Sequence, residues 1–478
     1  MKNSKKHIFL TGATGNMGRA TLEELLQRCD RFEVKVLVLP TEKDRRIIAP
    51  YQERGVKVIW GDLTNYKNVL EGVSGSDIIL HVGGLVSPYA DTRPELTMKV
   101  NVGAAQNIVR AIQAQTEPDR IHVVYIGTVA QTGNRPAPIH WGRVGDPIKI
   151  STFDTYALSK TIAERIFIDS GLKNWVSLRQ TGIARMAATE PLDPITFHTT
   201  LNGVLEWITP KDSGRLLANL CEDSVPEKLW GNIYNIGGGA PNRLTNLELF
   251  EKMLGVTGVK DYQKVLEPNW FALKNFHGQW FSDSDVLETI VPYRVQTIDE
   301  YLIEQKPLVP WYIQMGSALP KLVRRKFEQV ARGPRGTLSW FAQDDIAHIK
   351  AHFGSLQIWK TIRGWDTISK DRPAETAILL DHGFDEGKSP GNFSIQDAWK
   401  AARFRGGECL SSDLVRGDWR SLLSWRCHAG HEFPASLNLI LKGGHWCPIC
   451  MSNPSTYTTL ARHSAFFKQV WEPELNFG

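Results

Sequence analysis

The sequence predicts an α/β fold built around a doubly wound parallel sheet, and three observations support this prediction. Apolar runs of strand length alternate with helical patterns through about the first 130 residues. A loop with three glycines follows the first predicted strand and opens the first predicted helix. The chain has 478 residues, which is longer than one compact core usually supports, so we also expect further domains.

The predicted elements follow one another at intervals typical of strand–helix repeats. Strands are predicted at 7–11, 34–39, 56–60, 77–82, 122–126, 175–179 and 231–236. Helices are predicted at 19–27, 153–168, 338–362 and 395–404. Because right-handed crossovers place the carboxyl ends of parallel strands at one edge, we expect a ligand site along that edge.

Changes in composition predict three regions. The regions are a first domain at 1–315, with a sheet core at about 1–185 and a smaller lobe at about 186–315; a basic linker at 316–336; and a mainly helical C-terminal region at 337–478, with a small cysteine-rich module at about 400–455. The lobe is irregular and rich in Trp and Phe, and residues 321–336 carry six Lys or Arg against one Glu.

Composition and charge are those of a globular protein. Hydrophobic residues make up 42% and charged residues 22% of the chain, and no apolar run approaches the roughly 18 residues of a membrane span. The basic residues 1–6 precede a short apolar run that has no cleavage site. We therefore expect a cytoplasmic protein that does not contact a membrane. The net charge of +5 is too small to predict nucleic-acid binding.

The segment 11–18, Thr-Gly-Ala-Thr-Gly-Asn-Met-Gly, has the spacing of a phosphate-binding turn. Gly12 permits the tight turn, Gly15 lets a pyrophosphate approach the backbone, and Gly18 lets the helix pack closely on the strand. The helix N-terminus adds free N–H groups and positive potential. The predicted dinucleotide-binding residues of this loop are Gly12, Thr14, Gly15, Asn16, Met17 and Gly18. The alternative is a purely structural turn.

The residues beyond the second and third strands bear on the choice between NAD and NADP. The second strand ends in Leu-Pro-Thr at 39–41, with no acid there to hold a ribose 2′-hydroxyl, and the nearby cations Lys43, Arg45 and Arg46 favour a 2′-phosphate. The alternative is a solvated run of charges. Asp62, with Leu63 beside it, is placed to accept a hydrogen bond from the adenine amino group, or else caps a helix.

Tyr156 and Lys160 stand four residues apart at the start of a predicted helix, so they share one helix face. A nearby ammonium favours phenolate, which would make Tyr156 a usable acid/base near neutral pH. Thr128 ends a strand at the same edge, where its hydroxyl can hold a carbonyl or alcohol oxygen. We therefore predict Thr128, Tyr156 and Lys160 as catalytic residues.

Residues 7 to about 240 resemble the extended short-chain dehydrogenase/reductases, also called the NAD-dependent epimerase/dehydratase family, which have a Rossmann fold. The matching stretches are 11–18, 61–63, 81–84, 101–103, 126–128, 156–160, 178–179 and 234–235. The resemblance implies that Tyr156 is the acid/base, that Lys160 also binds the ribose, and that Thr128 orients the substrate. It implies that His81 and Gly83 line the path of the nicotinamide and pyrophosphate, and that Asn101 is structural.

The departures from the family concern the substrate. Thr128 is followed by Val-Ala-Gln rather than the Val-Tyr-Gly of many sugar epimerases or the Asp-Glu of sugar dehydratases, and Gln180 replaces the usual proline after Leu-Arg. A carbonyl or alcohol substrate therefore stays open beside a sugar. Seven aromatic residues of the lobe suit either a pocket or core packing: Trp207, Trp230, Trp270, Phe271, Phe276, Trp280 and Phe281. His198 and His277 are expected to be structural.

The last part of the chain contains a Cys-x3-His pair and a Cys-x2-Cys pair, fifteen residues apart. Two thiolates from one turn, with a thiolate and an imidazole from another, suit tetrahedral zinc. We therefore predict a structural zinc site whose four ligands are Cys427, His431, Cys447 and Cys450. His428 and His445 are possible competing ligands, and Cys409 is expected to be a small buried hydrophobe.

Residues 405–450 resemble small treble-clef zinc modules, which often accompany nucleic-acid enzymes. Basic residues near the module permit nucleic-acid binding: Arg403, Arg405, Arg416, Arg420, Arg426 and Lys442. A structural lid or a dimerisation element is the alternative that we favour.

Three functions are compatible with the sequence. The first is an NAD(P)-dependent oxidoreductase acting on a carbonyl or secondary alcohol, and the second is a sugar-nucleotide epimerase that retains its NAD. The third is a cofactor-sensing protein whose zinc module binds nucleic acid or another protein, although a sensor would not need the complete set of acid/base residues. The resemblance also allows a homodimer through the helix of Tyr156.

Overall fold

A seven-stranded parallel sheet forms the centre of the computed structural model, which describes residues 5–186 and 189–475. The strands of this sheet and of the smaller sheets are, in chain order, β1 (Lys6–Thr11), β2 (Phe32–Val38), β3 (Lys57–Trp60), β4 (Ile78–His81), β5 (His122–Thr128), β6 (Trp141–Gly142), β7 (Asn174–Gln180), β8 (Val204–Glu206), β9 (Asn232–Ile236), β10 (Arg243–Thr245), β11 (Trp280–Phe281), β12 (Gly407–Cys409), β13 (Leu422–Cys427) and β14 (Glu432–Ser436).

The α-helices lie on both faces of this sheet and in the regions that follow it. They are α1 (Asn16–Leu26), α2 (Glu42–Glu53), α3 (Tyr66–Val73), α4 (Pro94–Thr97), α5 (Gly103–Gln113), α6 (Thr155–Ile168), α7 (Pro210–Asn219), α8 (Asn246–Val256), α9 (Ser284–Ile290), α10 (Ile298–Gln305), α11 (Trp311–Gln314), α12 (Pro320–Arg332), α13 (Thr337–Ala342), α14 (Ile346–Phe353), α15 (Leu356–Thr361), α16 (Ile395–Phe404), α17 (Pro448–Met451), α18 (Tyr457–His463) and α19 (Ala465–Leu475).

The order of the main sheet is β3-β2-β1-β4-β5-β7-β9, with all neighbours parallel. The order therefore reverses between β1 and β4, where ligands of doubly wound sheets bind. At the carboxyl edge Thr11 pairs with His81 and Thr128 pairs with Gln180. This arrangement confirms the predicted α/β fold.

Helices on both faces bury the sheet, so its strands are apolar on both sides. Along β1, Ile8 and Leu10 enter one core while Phe9 enters the other. Because alternate side chains of a strand point to opposite faces of the sheet, this one strand contributes to two separate cores.

The stretch 316–336, predicted as a basic linker, contains the helix α12. Val323, Phe327 and Val330 of this helix pack against the core of the lobe, and Ala331 is buried. The cations therefore lie on a docked helix rather than on an extended connection. The single helix predicted at 338–362 is three short helices, α13 to α15, separated where Asp344 and Gly354 adopt positive φ.

The C-terminal region packs on the sheet domain rather than standing apart from it. β12, β13 and β14 form an antiparallel sheet, and Trp425 and Leu439 belong to the same hydrophobic core as Phe9 and Phe167. None of the helices in the described part of the chain is both long and apolar enough to cross a membrane.

Candidate active site

The glycine loop that joins β1 to α1 is packed tightly against neighbouring backbone. Gly12 has a φ of +73°, and a Cβ added there would lie 2.7 Å from the backbone of Gly83, in the loop after the neighbouring strand β4. A Cβ on Gly18 would lie 2.1 Å from the carbonyl oxygen of Gly12. Both positions therefore require glycine for the turn and the helix to meet.

The N-terminus of α1 is free to bind an anion. Gly15 occupies the N-cap position, is exposed, and has no side chain with which to cap the helix. Thr14 and Asn16 beside it are partly exposed, whereas Met17 is buried in the core. Uncapped N–H groups at a helix dipole fit a pyrophosphate, so this loop can hold a dinucleotide.

Substitution of Gly18 by alanine tests this assignment. We expect Gly18→Ala to weaken NADH binding about tenfold or more, because the added methyl group would push α1 away from the loop. The measurement is titration of NADH by fluorescence or calorimetry. Gly255→Ala is the matched control, since a Cβ there meets nothing within 4 Å and NADH affinity should not change. Wild-type affinity in Gly18→Ala would show that the nucleotide binds elsewhere.

The residues expected near the adenosine also have local partners. One carboxylate oxygen of Asp62 accepts from the N–H of Thr64 at 2.8 Å, and the side chain of Leu63 packs at Gly83. Arg45 lies over the ring of Trp60 at 4.2 Å, and Arg46 pairs with Glu42 at 2.8 Å. Both arginines are exposed.

The three predicted catalytic residues meet at the carboxyl edge of the sheet. Thr128 ends β5, and its side chain lies close enough to the hydroxyl of Tyr156 on α6 to lower the pKa of that phenol. Lys160 lies one helical turn further on, with its Nζ 4.6 Å from the centre of the Tyr125 ring. The Tyr125 hydroxyl donates to the carbonyl oxygen of Lys160 at 2.8 Å and fixes this turn of the helix.

The electrostatics of Tyr156 and Lys160 differ from the expectation that Lys160 makes the phenol more acidic. Burial raises the pKa of Tyr156 to about 12, and the side chain of Thr128 only partly opposes this effect. Burial also lowers the pKa of Lys160 to about 7, against the opposing charge of Glu164. Burial therefore shifts both groups toward their neutral forms, Lys160 as a buried side chain and Tyr156 as a partly buried one.

His81 and Asn101 support the site from behind. His81 is buried, its Nδ1 lies 2.9 Å from the hydroxyl of Thr11, and burial lowers its pKa to about 3. Asn101 joins the loop after β4 to the catalytic helix, because its amide donates to the carbonyl of Leu85 at 2.9 Å and to the hydroxyl of Ser159 at 2.8 Å. Asn101 is thus structural, as the resemblance implied.

A buried carboxylate one turn beyond Lys160 organises the site, and sequence reasoning missed it. Glu164 accepts hydrogen bonds from Ser177 at 2.6 Å, from Gln131 at 2.7 Å and from Arg179 at 2.8 Å. Burial opposes its ionisation, but the charge of Arg179 and the hydrogen bond from His445 hold the pKa of Glu164 well below its usual range.

This carboxylate connects the catalytic threonine to the C-terminal region. The side-chain carbonyl oxygen of Gln131 accepts a hydrogen bond from the backbone N–H of Thr128 at 2.9 Å. On the opposite side, Nε2 of His445 lies 2.8 Å from the Glu164 carboxylate. A continuous set of contacts therefore runs from His445 through Glu164 and Gln131 to Thr128.

A polar cavity of about 360 Å³ opens at the amino end of α6. Its wall includes Asp91, which accepts from the backbone N–H of Tyr156 at 3.3 Å, and Asp154, the N-cap of α6. His198 and His277, set aside as structural, also line it. The far wall comes from α13 and α14, in the region beyond the predicted linker.

Some of the seven aromatic residues of the lobe line cavities, and the others pack in the hydrophobic cores. Phe276 lines the polar cavity, and Trp207 and Phe276 line a second, apolar cavity. The remaining five are buried in the cores: Trp230, Trp270, Phe271, Trp280 and Phe281.

Comparison with known proteins decides the family of the first part of the chain. Residues 8–184 match the model of the NAD dependent epimerase/dehydratase family. We refer to residues 8–184, after this match, as the epimerase/dehydratase domain. The match covers the glycine loop, Thr128, Tyr156 and Lys160, and ends shortly after β7.

Curated relatives of the epimerase/dehydratase domain act on different substrates. The 3 beta-hydroxysteroid dehydrogenase type 7 of Mus musculus is 29% identical over 168 residues, which are 34% of this chain and 44% of that protein. The 2-alkyl-3-oxoalkanoate reductase of Shewanella oneidensis is 29% identical over 167 residues, 34% of this chain and 39% of that protein. The chain thus spans less than half the length of these relatives.

A solved structure resembles this fold over a longer stretch. The dTDP-glucose 4,6-dehydratase of Streptomyces venezuelae, crystallised with NAD, matches with a TM-score of 0.52 and 21% identity. The match covers 65% of this chain and 98% of that one. At this identity the likeness shows the fold alone.

The four predicted metal ligands come together outside the epimerase/dehydratase domain. The ligand atoms of Cys427, His431, Cys447 and Cys450 all lie within 4.8 Å of one another. Nδ1 of His431 is 3.4 to 3.5 Å from each of the three sulfurs. The hydrogen bond with Cys450 lowers the pKa of Cys447 to about 5. This donor set fits a tetrahedral zinc ion.

The alternative ligands point elsewhere. His428 stacks on His463 at 4.9 Å, and His445 contacts Glu164. Cys409 is buried and outside the group of four ligands. The geometry therefore selects His431 among the three histidines of this segment.

The module covers the outer face of the catalytic helix. Arg165 on α6 donates to the carbonyl oxygen of Pro434 at 2.8 Å, and Asp169 accepts from the hydroxyl of Ser436 at 2.6 Å. A homodimer through this face of α6 would require the module to leave. Two of the basic residues named for nucleic-acid binding are already engaged within the protein, because Arg405 is fully buried and Arg426 pairs with Glu432.

Proposed function

We propose that the protein is an NAD(P)-dependent oxidoreductase that reduces a carbonyl or oxidises a secondary alcohol. The observation that carries this proposal is the proximity of the Thr128 side chain to the Tyr156 hydroxyl at the carboxyl edge of the sheet, close enough to lower the pKa of that phenol. Two neighbouring hydroxyl groups can bind the same substrate oxygen.

In the direction of reduction, the hydroxyl of Thr128 holds the substrate oxygen and Tyr156 gives it a proton. The raised pKa of Tyr156 keeps this proton on the phenol at neutral pH. Lys160 lies on the same face of α6, where its ammonium would stabilise the phenolate that remains. When bound, the nicotinamide supplies hydride for reduction or accepts it for oxidation.

The test is turnover with NADH or NADPH against a panel of uncharged ketones and the matching secondary alcohols. Oxidation or reduction of any member, coupled to a change in nucleotide absorbance, supports the proposal. The better binder of the two nucleotides decides whether Arg45 and Arg46 serve a 2′-phosphate.

A sugar-nucleotide epimerase is the second candidate, because UDP-glucose 4-epimerase of Rickettsia massiliae is 27% identical over 110 residues. An epimerase oxidises and re-reduces one substrate and so keeps its cofactor. Release of near-stoichiometric NAD on denaturing the purified protein would favour this function, whereas an empty protein that binds NADH reversibly would favour net oxidoreduction.

We propose in addition that Cys427, His431, Cys447 and Cys450 bind a structural zinc ion. All four tetrahedral positions are filled by protein ligands, which leaves none for a catalytic water. The contacts of the module with α6 support a role in holding the catalytic helix rather than in binding nucleic acid.

Replacement of Cys447 and Cys450 by serine tests the zinc site. We expect the double variant to lose one equivalent of zinc by elemental analysis and to unfold at a lower temperature, because metal binding supplies folding free energy to so small a module. Cys221→Ser is the control, since Cys221 lies in a different core. An unchanged zinc content in the double variant would reject the ligand assignment.

A further inference from the structure

Two cavities meet beside the catalytic helix, and they differ in chemistry. The polar cavity of about 360 Å³ and the apolar cavity of about 270 Å³ share the side chains of Ile195 and Phe276. Together they reach the size of pockets that enclose drug-sized ligands. Their contrast indicates a ligand with one polar end and one apolar end.

We propose that the substrate is an uncharged amphipathic ketone or alcohol, with its reacting oxygen in the polar cavity and its apolar body in the second cavity. The proposal excludes a nucleotide-diphosphate sugar. It rests on the proposed oxidoreductase function and names the substrate class of that site.

The polar cavity adjoins the catalytic tyrosine. Asp91 accepts from the backbone N–H of Tyr156, and Asp154 accepts from the N–H of Ala157 at 2.7 Å to cap α6. The charges of Asp154 and Asp91 also reach the phenol, since both raise the pKa of Tyr156. The polar end of the combined space therefore lies at the first turn of α6, the turn that carries Tyr156.

The charges of the wall oppose a diphosphate. Three carboxylates line the polar cavity: Asp91, Asp154 and Asp345. Among the described residues that line the two cavities, the Lys and Arg residues are Arg335 and Arg185, and these pair with Asp193 and Glu190. A diphosphate would be buried beside carboxylates with no uncommitted arginine or lysine.

The histidines do not change this balance. Burial lowers the pKa of His198 and, further, that of His352, so both are neutral at pH 7. His348 lies 2.7 Å from Asp345, and His277 lies 3.6 Å from Asp154. Any positive charge on the latter two histidines is therefore matched by an adjacent carboxylate.

The second cavity provides an apolar container. Its wall includes Leu249, Phe250 and Met253 of α8 together with Ile298 and Leu302 of α10. Such a surface stabilises an alkyl chain or a fused ring system through burial alone. A nucleobase would instead need hydrogen-bond partners on its edge.

The far wall of the polar cavity comes from outside the epimerase/dehydratase domain. Trp340 stacks beside the rings of both His348 and His352, at centroid distances of 5.0 and 4.7 Å. Phe153, which has a φ of +70°, stacks on His348 at 4.1 Å. A strained aromatic residue directly before the catalytic helix thus fixes this wall, so the C-terminal region contributes to substrate selection.

The experiment is calorimetric binding to the Tyr156→Phe variant with saturating NADH, which allows binding without turnover. The probes are 2-decanone, a 3-ketosteroid and UDP-glucose. We expect at least one ketone to bind and UDP-glucose not to bind. Binding of UDP-glucose, or no binding of either ketone, would overturn the proposal.

Variants of α8 test where the apolar body lies. Met253→Lys and the milder Met253→Gln place a polar group in the apolar cavity, and we expect them to weaken ketone binding about tenfold or more. Glu251→Lys, an exposed position on the same helix, should leave it unchanged. Unaltered NADH affinity in each variant shows that the fold is intact, and unaltered ketone affinity in both Met253 variants would contradict the placement.

Turnover separates this proposal from the proposed function. A ketone that binds Tyr156→Phe but is never reduced by the wild-type protein would leave the substrate class standing and reject the oxidoreductase. NAD-dependent turnover of UDP-glucose would support nicotinamide chemistry at this site and reject the proposed substrate class.

Discussion

Replacement of Tyr156 by phenylalanine is expected to reduce turnover about 10²- to 10⁴-fold, the usual contribution of a general acid/base. The ring and its packing stay in place, but no proton can pass to or from the substrate oxygen. Thr128 remains tied to Ala130 and Gln131. The effect should therefore fall on kcat, with little change in NADH affinity.

Steady-state kinetics and an NADH titration measure the two effects separately. Tyr312→Phe is the matched control, because Tyr312 is 61% exposed and lies outside the site. Its kinetics should equal those of the wild type. Turnover of Tyr156→Phe at the wild-type rate would remove Tyr156 from the mechanism.

The Glu164→Ala variant is expected to lower the free energy of unfolding by about 3 to 5 kcal/mol, the cost of leaving one buried charge without its partner. Arg179 is 1% exposed, so water cannot replace the lost carboxylate. Ser177, Gln131 and His445 lose their acceptor as well. Equilibrium unfolding in urea at pH 7 measures this change.

The exposed pair of Glu472 and Lys468 provides the comparison, since both side chains are 53% exposed. Glu472→Ala should cost less than about 1 kcal/mol. If Glu164→Ala costs no more than Glu472→Ala, the buried contacts do not stabilise the fold. Because Gln131 also holds the backbone of Thr128, we expect a lower kcat in Glu164→Ala even where the protein is fully folded.

The sheet and its strands could be predicted because their signals are local. The strands of the parallel sheet differ from prediction by one or two residues at their ends, and α16 begins and ends as expected. Apolar periodicity, the glycine loop and the Tyr-x-x-x-Lys spacing each lie within a few residues of one another. Such patterns can be recognised without knowledge of the tertiary structure.

The rest of the site depends on contacts between distant parts of the chain. His445 and Glu164 are 281 residues apart, and His198 contacts the carbonyl of Arg335 across 137 residues. No spacing in the sequence signals such pairs. The local hints are a Glu four residues beyond Lys160 and an Arg near the end of a strand, because charged residues at apolar positions need partners.

The coverage of α6 by the C-terminal module has a consequence for biosynthesis. At about 5 to 20 residues per second, a ribosome needs roughly 14 to 56 s to add the 281 residues that separate Glu164 from His445. Throughout that interval Glu164, Arg165 and Asp169 lack their C-terminal partners on a nascent sheet. The contacts of α6 are thus completed only after His445 has been synthesised, long after the sheet that α6 packs on.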